Sequence, residues 1–465
     1  MTASDLLTRG IEEVVPRDLA EKKLLSGKKI RIYLGIDPTG SKLHLGHSVP
    51  LRKLQAFAAA GHEVIFLVGS FTAMIGDPSG RDALREPLTK EQVIKNFETY
   101  KQQAAKVLDF AKVKIVYNHE WLEKLKFDEI VNLANNFTVQ QMLERDMFQL
   151  RRSVKIECPN CHKKIIYRHN PLAGITIKDN ARLSDWSYYV NQILTNEAAF
   201  VTRDPQNLRG QMCDSCNFII EYFRLKASDI SSPEPIGLHE FFYPVMVGYD
   251  SVMLDVDCEL GGSDQLFNML AGRTLQQKLG KRDKFVLTTK LIGGTDGRKM
   301  SKTYDNCIWL EDSAADMYGK IMSIEDKLIT NYMECCTDIP MDEIIIIEKK
   351  MIQEENPMQF KKQLAEEIVR IYHGDAAATQ AAEGFSNVFA KGELPEDIPE
   401  VKAQEGESLL DVLLRAEMIT SKSDGRRLLE QGGIHLGDVV ISNNNAPSAS
   451  GTYKVGKRKF LRIII

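Results

Sequence analysis

Two short, almost wholly apolar segments with a helical stretch between them constrain this chain more than any other feature. Ile30 to Ile36 reads as a buried strand, Pro38 to Gly40 as a turn, and Gly46 to Ala60 carries helical apolar spacing. Residues 63–69 then read as a second buried strand bounded by glycines. Strands apolar on both faces must be covered on both faces, which is the condition of a parallel sheet flanked by helices. The expected class is therefore α/β. At roughly 150 residues per domain, 465 residues leave room for about three domains.

Charge divides unevenly along that length. The net charge is −4, from 60 Lys and Arg against 64 Asp and Glu. Residues 408–465 and 151–229 are each +4, which leaves an acidic remainder. A basic terminal module on an acidic body suggests a polyanion at one end and a small anionic ligand elsewhere. Residues 391–407 hold six acids and two prolines and read as a linker. The eight cysteines are too few for a disulfide scaffold, which fits a reducing, cytoplasmic setting. No apolar run reaches membrane-spanning length and no signal-peptide core stands at the N-terminus, so no membrane partner is expected.

Two motifs carry chemistry. His44-Leu45-Gly46-His47 sits at the first strand-to-helix junction, with both imidazoles on one face and Gly46 admitting a ligand to the backbone. Imidazole and helix-end N–H groups aimed at one point suit an anion whose charge grows in a transition state. Lys299-Met300-Ser301-Lys302-Thr303 follows the glycine turn 293–297, where two lysines on a mobile loop can close over a polyphosphate. Alone, either string has an ordinary explanation: a chance histidine pair or a metal pair, and a solvated surface run.

Together the two motifs resemble the signatures of class I aminoacyl-tRNA synthetases. Further matches at 30–80, at 238–310 and in the C-terminal segment are similar to bacterial-type tyrosyl-tRNA synthetases. The resemblance implies a Rossmann-like catalytic domain split between 1–152 and 232–310, a helical domain at 311–390, and an S-four-type RNA-binding domain at 408–465. Residues 153–231 stand out as an insertion. It also implies tyrosine and ATP with Mg²⁺ as substrates, tRNA(Tyr) as partner, and a homodimer.

Residue roles follow from the same resemblance. His44, His47, Lys299, Lys302 and Thr39 would act on the phosphates. Gly35, Asp37, Gly46, Gly262, Asp264, Met300, Ser301 and Thr303 would line the ATP site, Asp264 accepting from the ribose. Tyr33 and Asp250 would bond the phenolic hydroxyl, and Asp77, Tyr243 and Gln265 would surround the α-ammonium. For Asp37 and Asp264 the ordinary alternative is a helix cap or turn residue. Two positions depart from the family: Leu34 replaces a ribose-contacting side chain found in some members, and Val247 stands where glutamine is usual. Either another group replaces that glutamine or tyrosine binds more weakly.

Within the insertion, Cys158 and Cys161 pair with Cys213 and Cys216 as two CxxC knuckles, a pattern for structural Zn²⁺. The 51-residue spacer is long for a compact ribbon, so unligated thiols or redox use remain alternatives. In the tail, Arg426 and Arg427 near a helix start, and Lys457, Arg458 and Lys459 in a basic turn, would meet RNA phosphates. Two rival functions stand beside tyrosine activation: tryptophan activation, and a catalytically weak paralogue serving as an RNA-binding or regulatory protein.

Overall fold

The apolar segments form the strands that their composition requires. In a computed structural model, the described residues are 3–77, 88–144, 148, 155–157, 164–166, 211–212, 219–220, 230–231, 236–353, 355–390, 398–404, 406–419, 421–437, 439–443, 446–456 and 459–465. Six strands make the principal sheet: β1 (Ile11–Val15), β2 (Arg31–Ile36), β3 (Glu63–Val68), β4 (Val113–Tyr117), β5 (Cys258–Gly262) and β6 (Phe285–Thr289). Their spatial order is β1-β6-β5-β2-β3-β4. Every pairing is parallel except β1 with β6, where an antiparallel strand closes one edge.

The order matters more than the count. Strand β2 has β3 on one side and β5 on the other, so the connections leaving them run in opposite directions. A crevice opens at such a reversal, outside the carboxyl ends of the strands. Gly35 lies at the end of β2 and Asp37 just past it, Gly69 follows β3, and Gly262 ends β5. Register fixes these ends beside one another, with Tyr33 opposite Ile65 and Glu259.

The described chain falls into two compact units. The first comprises Met1–Ser41, Lys53–Lys101 and Asp109–Thr289; the second comprises Lys42–Arg52, Gln102–Leu108 and Lys290–Ile465. The division falls after Thr289, and a short piece of chain around His44 belongs with the second unit. Backbone pairing accounts for this: Leu45 N–H donates to Ile308 O at 2.9 Å, and His44 forms an isolated bridge with Trp309.

In the first unit, α1 (Leu238–Leu254) packs along α2 (Leu266–Lys278). Gly248 permits this approach, since a Cβ there would lie 3.0 Å from Leu275 Cδ1 and 3.2 Å from the Ala271 and Gly272 backbone. The second unit contains α3 (Ala314–Met322), α4 (Ile329–Cys336), α5 (Met341–Ile352), α6 (Pro357–His373) and α7 (Asp375–Ala390). Leu364, Ile368 and Val369 put the apolar stripe of α6 into its core.

The tail is a five-stranded sheet over two helices. Its core includes Leu409, Val412, Leu413, Tyr453, Leu461 and Ile463. One of its strands comes from the segment read as linker: Glu400–Lys402 pairs parallel with Arg462 to Ile464. The acidic composition concealed it because only Val401 packs inward, while Glu400 pairs with Arg462 at 2.7 Å.

In the insertion, Lys155–Glu157 pairs antiparallel with Lys164–Ile166, and Gln211–Met212 with Ile219–Ile220. Cys158, Cys161, Cys213 and Cys216 lie outside the described residues, as do Lys457 and Arg458. Among the described residues no helix is long and apolar enough to cross a membrane.

Adding a methyl group at the helix crossing tests the packing. Gly248→Ala gains helix propensity of about 1 kcal/mol but meets backbone atoms that cannot move aside. The expected net loss is about 1–2 kcal/mol in urea unfolding; an unchanged or more stable variant contradicts the close approach.

Candidate active site

A polar network in the first unit ties the strand ends together. Asp37, just past β2, accepts from Thr72 Oγ1 at 2.7 Å and from the Tyr243 hydroxyl at 2.8 Å. Asn118, just past β4, donates from Nδ2 to Thr72 Oγ1 at 3.0 Å and to Asp250 Oδ2 at 3.1 Å. Trp121 Nε1 donates to Asp250 Oδ1 at 2.7 Å, and Phe71 N–H donates to Asn118 Oδ1 at 2.8 Å. Tyr33, Tyr243 and Asp250 are all buried.

Burial sets the protonation of these groups. It raises the pKa of Tyr33 and Tyr243 well above 10, assisted by Glu259 and Asp250 at the first and Asp37 and Asp77 at the second. Both phenols therefore stay neutral. Desolvation also raises Asp250, while the Asn118 and Trp121 hydrogen bonds oppose the shift. Nearby, Gln265 Nε2 donates to Asp77 Oδ2 at 2.8 Å, and Asn268 Nδ2 donates to Gln265 Oε1 at 2.8 Å. Asp264 stands exposed at the end of β5. Thr39 lies in the tight turn after β2, its N–H donating to Asp37 O at 2.8 Å.

Several members of this network carry no motif. Thr72, Asn118 and Trp121 were not singled out from sequence, nor was Gly69, where a Cβ would overlap Asp37 Oδ1. The one available signal was Gly69 itself, a glycine directly after a buried strand. Gly35, by contrast, would accept a Cβ at ordinary contact distances, 3.7 Å from Leu67 and Tyr33.

The second unit gathers the histidine and lysine motifs. The His44 and His47 rings stack with centroids 3.8 Å apart. His47 Nδ1 accepts the His44 backbone N–H at 3.2 Å, so a neutral His47 carries its hydrogen on Nε2. Burial pushes the pKa of His44 down to about 2, helped by the charges of His47 and Lys299. Lys299 thus acts on His44 electrostatically although 255 positions separate them. At Gly46 a Cβ would press on the His44 ring, 2.9 Å from Nδ1, a constraint beside the ligand approach expected from sequence.

The lysine segment is also held differently from a glycine-hinged loop. Buried Asn306 accepts the Ser301 N–H at 2.8 Å and donates to Asp296 at 2.7 Å and to Lys299 O at 3.1 Å. A Cβ at Gly294 would collide with Asn306, and one at Gly293 would approach Gly297 O at 3.0 Å. These glycines make room for an anchor. Met300 points into the core at 3% exposure, whereas Lys299 and Lys302 are exposed. The Thr303 side chain lies outside the described residues. In the tail, Arg426 is exposed, Arg427 pairs with Asp424 at 2.7 Å, and Lys459 donates to the carbonyls of Glu417 and Met418.

His44 should leave a mark on acid stability. Its folded pKa lies below the unfolded value of about 6.5, so between the two the unfolded state binds one more proton. Its contribution is complete above about pH 6.5 and is lost as pH falls toward the folded value. His44→Asn should reduce the slope of unfolding free energy against pH, between pH 6 and 4, by about 1.4 kcal/mol per unit. An unchanged slope contradicts the neutral, buried imidazole.

Known proteins were compared with this chain. The family model for tRNA synthetases class I (W and Y) matches residues 25–159 and 217–390. The tyrosine–tRNA ligase of Photobacterium profundum is 37% identical over 462 residues, covering 99% of this chain and 97% of that protein. That of Thermotoga maritima is 36% identical over 463 residues, covering 98% and 96%. Among solved structures, the Archaeoglobus fulgidus tyrosyl-tRNA synthetase complexed with L-tyrosine is similar with a TM-score of 0.53. It is 19% identical and covers 82% of this chain and 98% of that one, a likeness of fold. The Coccidioides posadasii mitochondrial tyrosyl-tRNA synthetase gives 0.52 at 21% identity, covering 82% and 90%. With full-length similarity to these ligases and a family match over most of its length, the chain belongs to the class I tRNA synthetases, within the tyrosyl-tRNA synthetase family.

Proposed function

We propose that this chain is a tyrosine–tRNA ligase that activates tyrosine with ATP and transfers it to tRNA(Tyr). The observation that carries the reading is the stacking of the His44 and His47 rings, with the charge of Lys299 acting on His44. A carboxylate oxygen of tyrosine bonds to the α-phosphorus of ATP as the bond to the bridging oxygen breaks, and pyrophosphate leaves with the electron pair. A hydroxyl of the tRNA terminus then displaces AMP from the carbonyl carbon. Neither step needs a covalent nucleophile from the protein, so positioning and charge stabilisation must lower the barrier.

Each group has a role that its state permits. His47 offers its Nε2 hydrogen to a phosphate oxygen, while His44 stays neutral. Lys299 and Lys302 meet the leaving pyrophosphate, and Thr39 assists there. Mg²⁺ accompanies ATP and neutralises phosphate charge. Gly35, Asp37, Gly46, Gly262, Asp264, Ser301 and Thr303 line the nucleotide side, with Met300 as an anchor. Tyr33 and Asp250 meet the phenolic hydroxyl. Asp37 and Asp77, the carboxylates flanking Tyr243, together with Gln265, hold the α-ammonium. These two carboxylates would then take the place of the acceptor missing at Val247.

Around this core we place the tail, with Arg426, Arg427, Lys457, Arg458 and Lys459, against tRNA. The working form is a cytoplasmic homodimer. Zinc held by Cys158, Cys161, Cys213 and Cys216 completes the reading. Each CxxC pair falls in sequence between two strands that pair antiparallel, and four thiolates are a donor set that structural zinc takes.

Amino-acid-dependent ATP–pyrophosphate exchange tests the activity. The expected result is exchange with tyrosine and not with phenylalanine or tryptophan. Lys299→Ala should lower the rate about 10²–10³-fold. Exchange with tryptophan alone, or with none of the three, overturns the reading. Elemental analysis should find close to one zinc per chain, lost in Cys158→Ser; metal-free, fully folded wild-type protein overturns the zinc assignment.

A further inference from the structure

Behind Tyr33 lies a buried ionic cluster that the reaction above does not use. Lys284 is fully buried, Ser251 likewise, and Glu259 is 4% exposed. Lys284 Nζ contacts Glu259 Oε2 and lies 2.7 Å from Ser251 Oγ. Ser251 Oγ is also 3.1 Å from Glu259 Oε2 and 2.9 Å from the Tyr33 hydroxyl. Lys284 Nζ stands 6.0 Å from the Tyr33 ring centroid. Gly272 makes the space, because a Cβ there would collide with both Ser251 Oγ and Lys284 Nζ.

Hydrogen counting orients this cluster. An ammonium only donates, so Lys284 occupies a lone pair of Ser251. A carboxylate only accepts, and the single Ser251 hydrogen makes its strongest bond to that charge. The remaining Ser251 lone pair takes the hydrogen of Tyr33. Glu259 supports the protonated state of Lys284 against the burial that lowers it. At Asp250, burial favours the neutral carboxyl, but the Asn118 and Trp121 N–H donors, one to each oxygen, favour the charged form, in which each oxygen keeps a lone pair for a further donor.

We propose that Lys284, Glu259 and Ser251 are positioning residues that fix substrate choice. They turn the Tyr33 hydrogen away from the ligand, so the site reads hydrogen-bond donors at the para position and takes para-amino as well as para-hydroxy aromatic amino acids. The inference rests on the reading that Tyr33 and Asp250 face the para substituent. A phenol hydrogen satisfies one of the two acceptors, whereas an amino group satisfies both. Phenylalanine leaves both unpaired, the arrangement that sites of this kind reject most strongly.

ATP–pyrophosphate exchange with tyrosine, 4-amino-L-phenylalanine and phenylalanine tests this. In the wild-type chain, kcat/KM for the para-amino substrate should lie within about tenfold of tyrosine, and phenylalanine about 10³-fold lower or worse. Ser251→Ala frees the Tyr33 hydrogen, and the ratio of para-amino to tyrosine kcat/KM should fall about tenfold or more, a change that general loss of structure does not produce. The double variant Glu259→Leu with Lys284→Met removes both charges and reports the same ratio if Ser251→Ala folds poorly. A para-amino substrate no better than phenylalanine, or a ratio unmoved in the variants, overturns the proposal while leaving tyrosine activation intact. Absence of exchange with all three overturns tyrosine activation and this inference with it.

Discussion

Asp250 is the constraint around which the first unit is organised. A buried carboxylate is costly unless its oxygens are hydrogen-bonded, and here Asn118 and Trp121 answer that requirement from beyond β4. Asn118 reaches Thr72, and Thr72 reaches Asp37, so one chain of hydrogen bonds crosses the ends of three strands. Parallel pairing in fixed register makes this possible, and the reversal of connections beside β2 leaves the ends open to a ligand. The apolar sheet therefore supplies position, and the network supplies the polar groups that a buried amino acid requires.

The second unit solves an opposite problem. Phosphate chemistry needs cations and donors near solvent. His44 is kept neutral by burial, His47 has one nitrogen committed to the backbone, and Asn306 pins the lysine segment through main-chain groups. Lys299 and Lys302 are left exposed. In the proposed reading, amino-acid selection draws on buried polarity, while catalysis draws on exposed charge. The small net charge of the chain averages these regions with the basic tail and insertion.

Much of this was legible in the sequence, and the rest was hidden for identifiable reasons. Continuous apolar strands announced the parallel sheet, and the His and Lys motifs carry their own spacing. Asn118 and Trp121 have no motif, because a lone amide after a strand looks like any turn residue. Lys284 was hidden because a lysine beside Phe285–Thr289 reads as a solvated flank, and only the fold reveals Glu259 and Ser251 around it. At glycines 46, 293 and 294 the sequence could not show the neighbouring side chain or turn that a Cβ would meet. Strand Glu400–Lys402 was masked by its acidic setting.

The central claim is that the carboxylate at position 250, held by Asn118 and Trp121, recognises the amino acid rather than the nucleotide. Equilibrium binding of tyrosine to Asp250→Asn, in the absence of ATP, tests it most directly. Leaving a buried polar group of the ligand without its partner costs about 1–3 kcal/mol, so affinity should fall roughly 5- to 150-fold while ATP affinity holds. Unchanged tyrosine binding with weakened ATP binding would contradict the account.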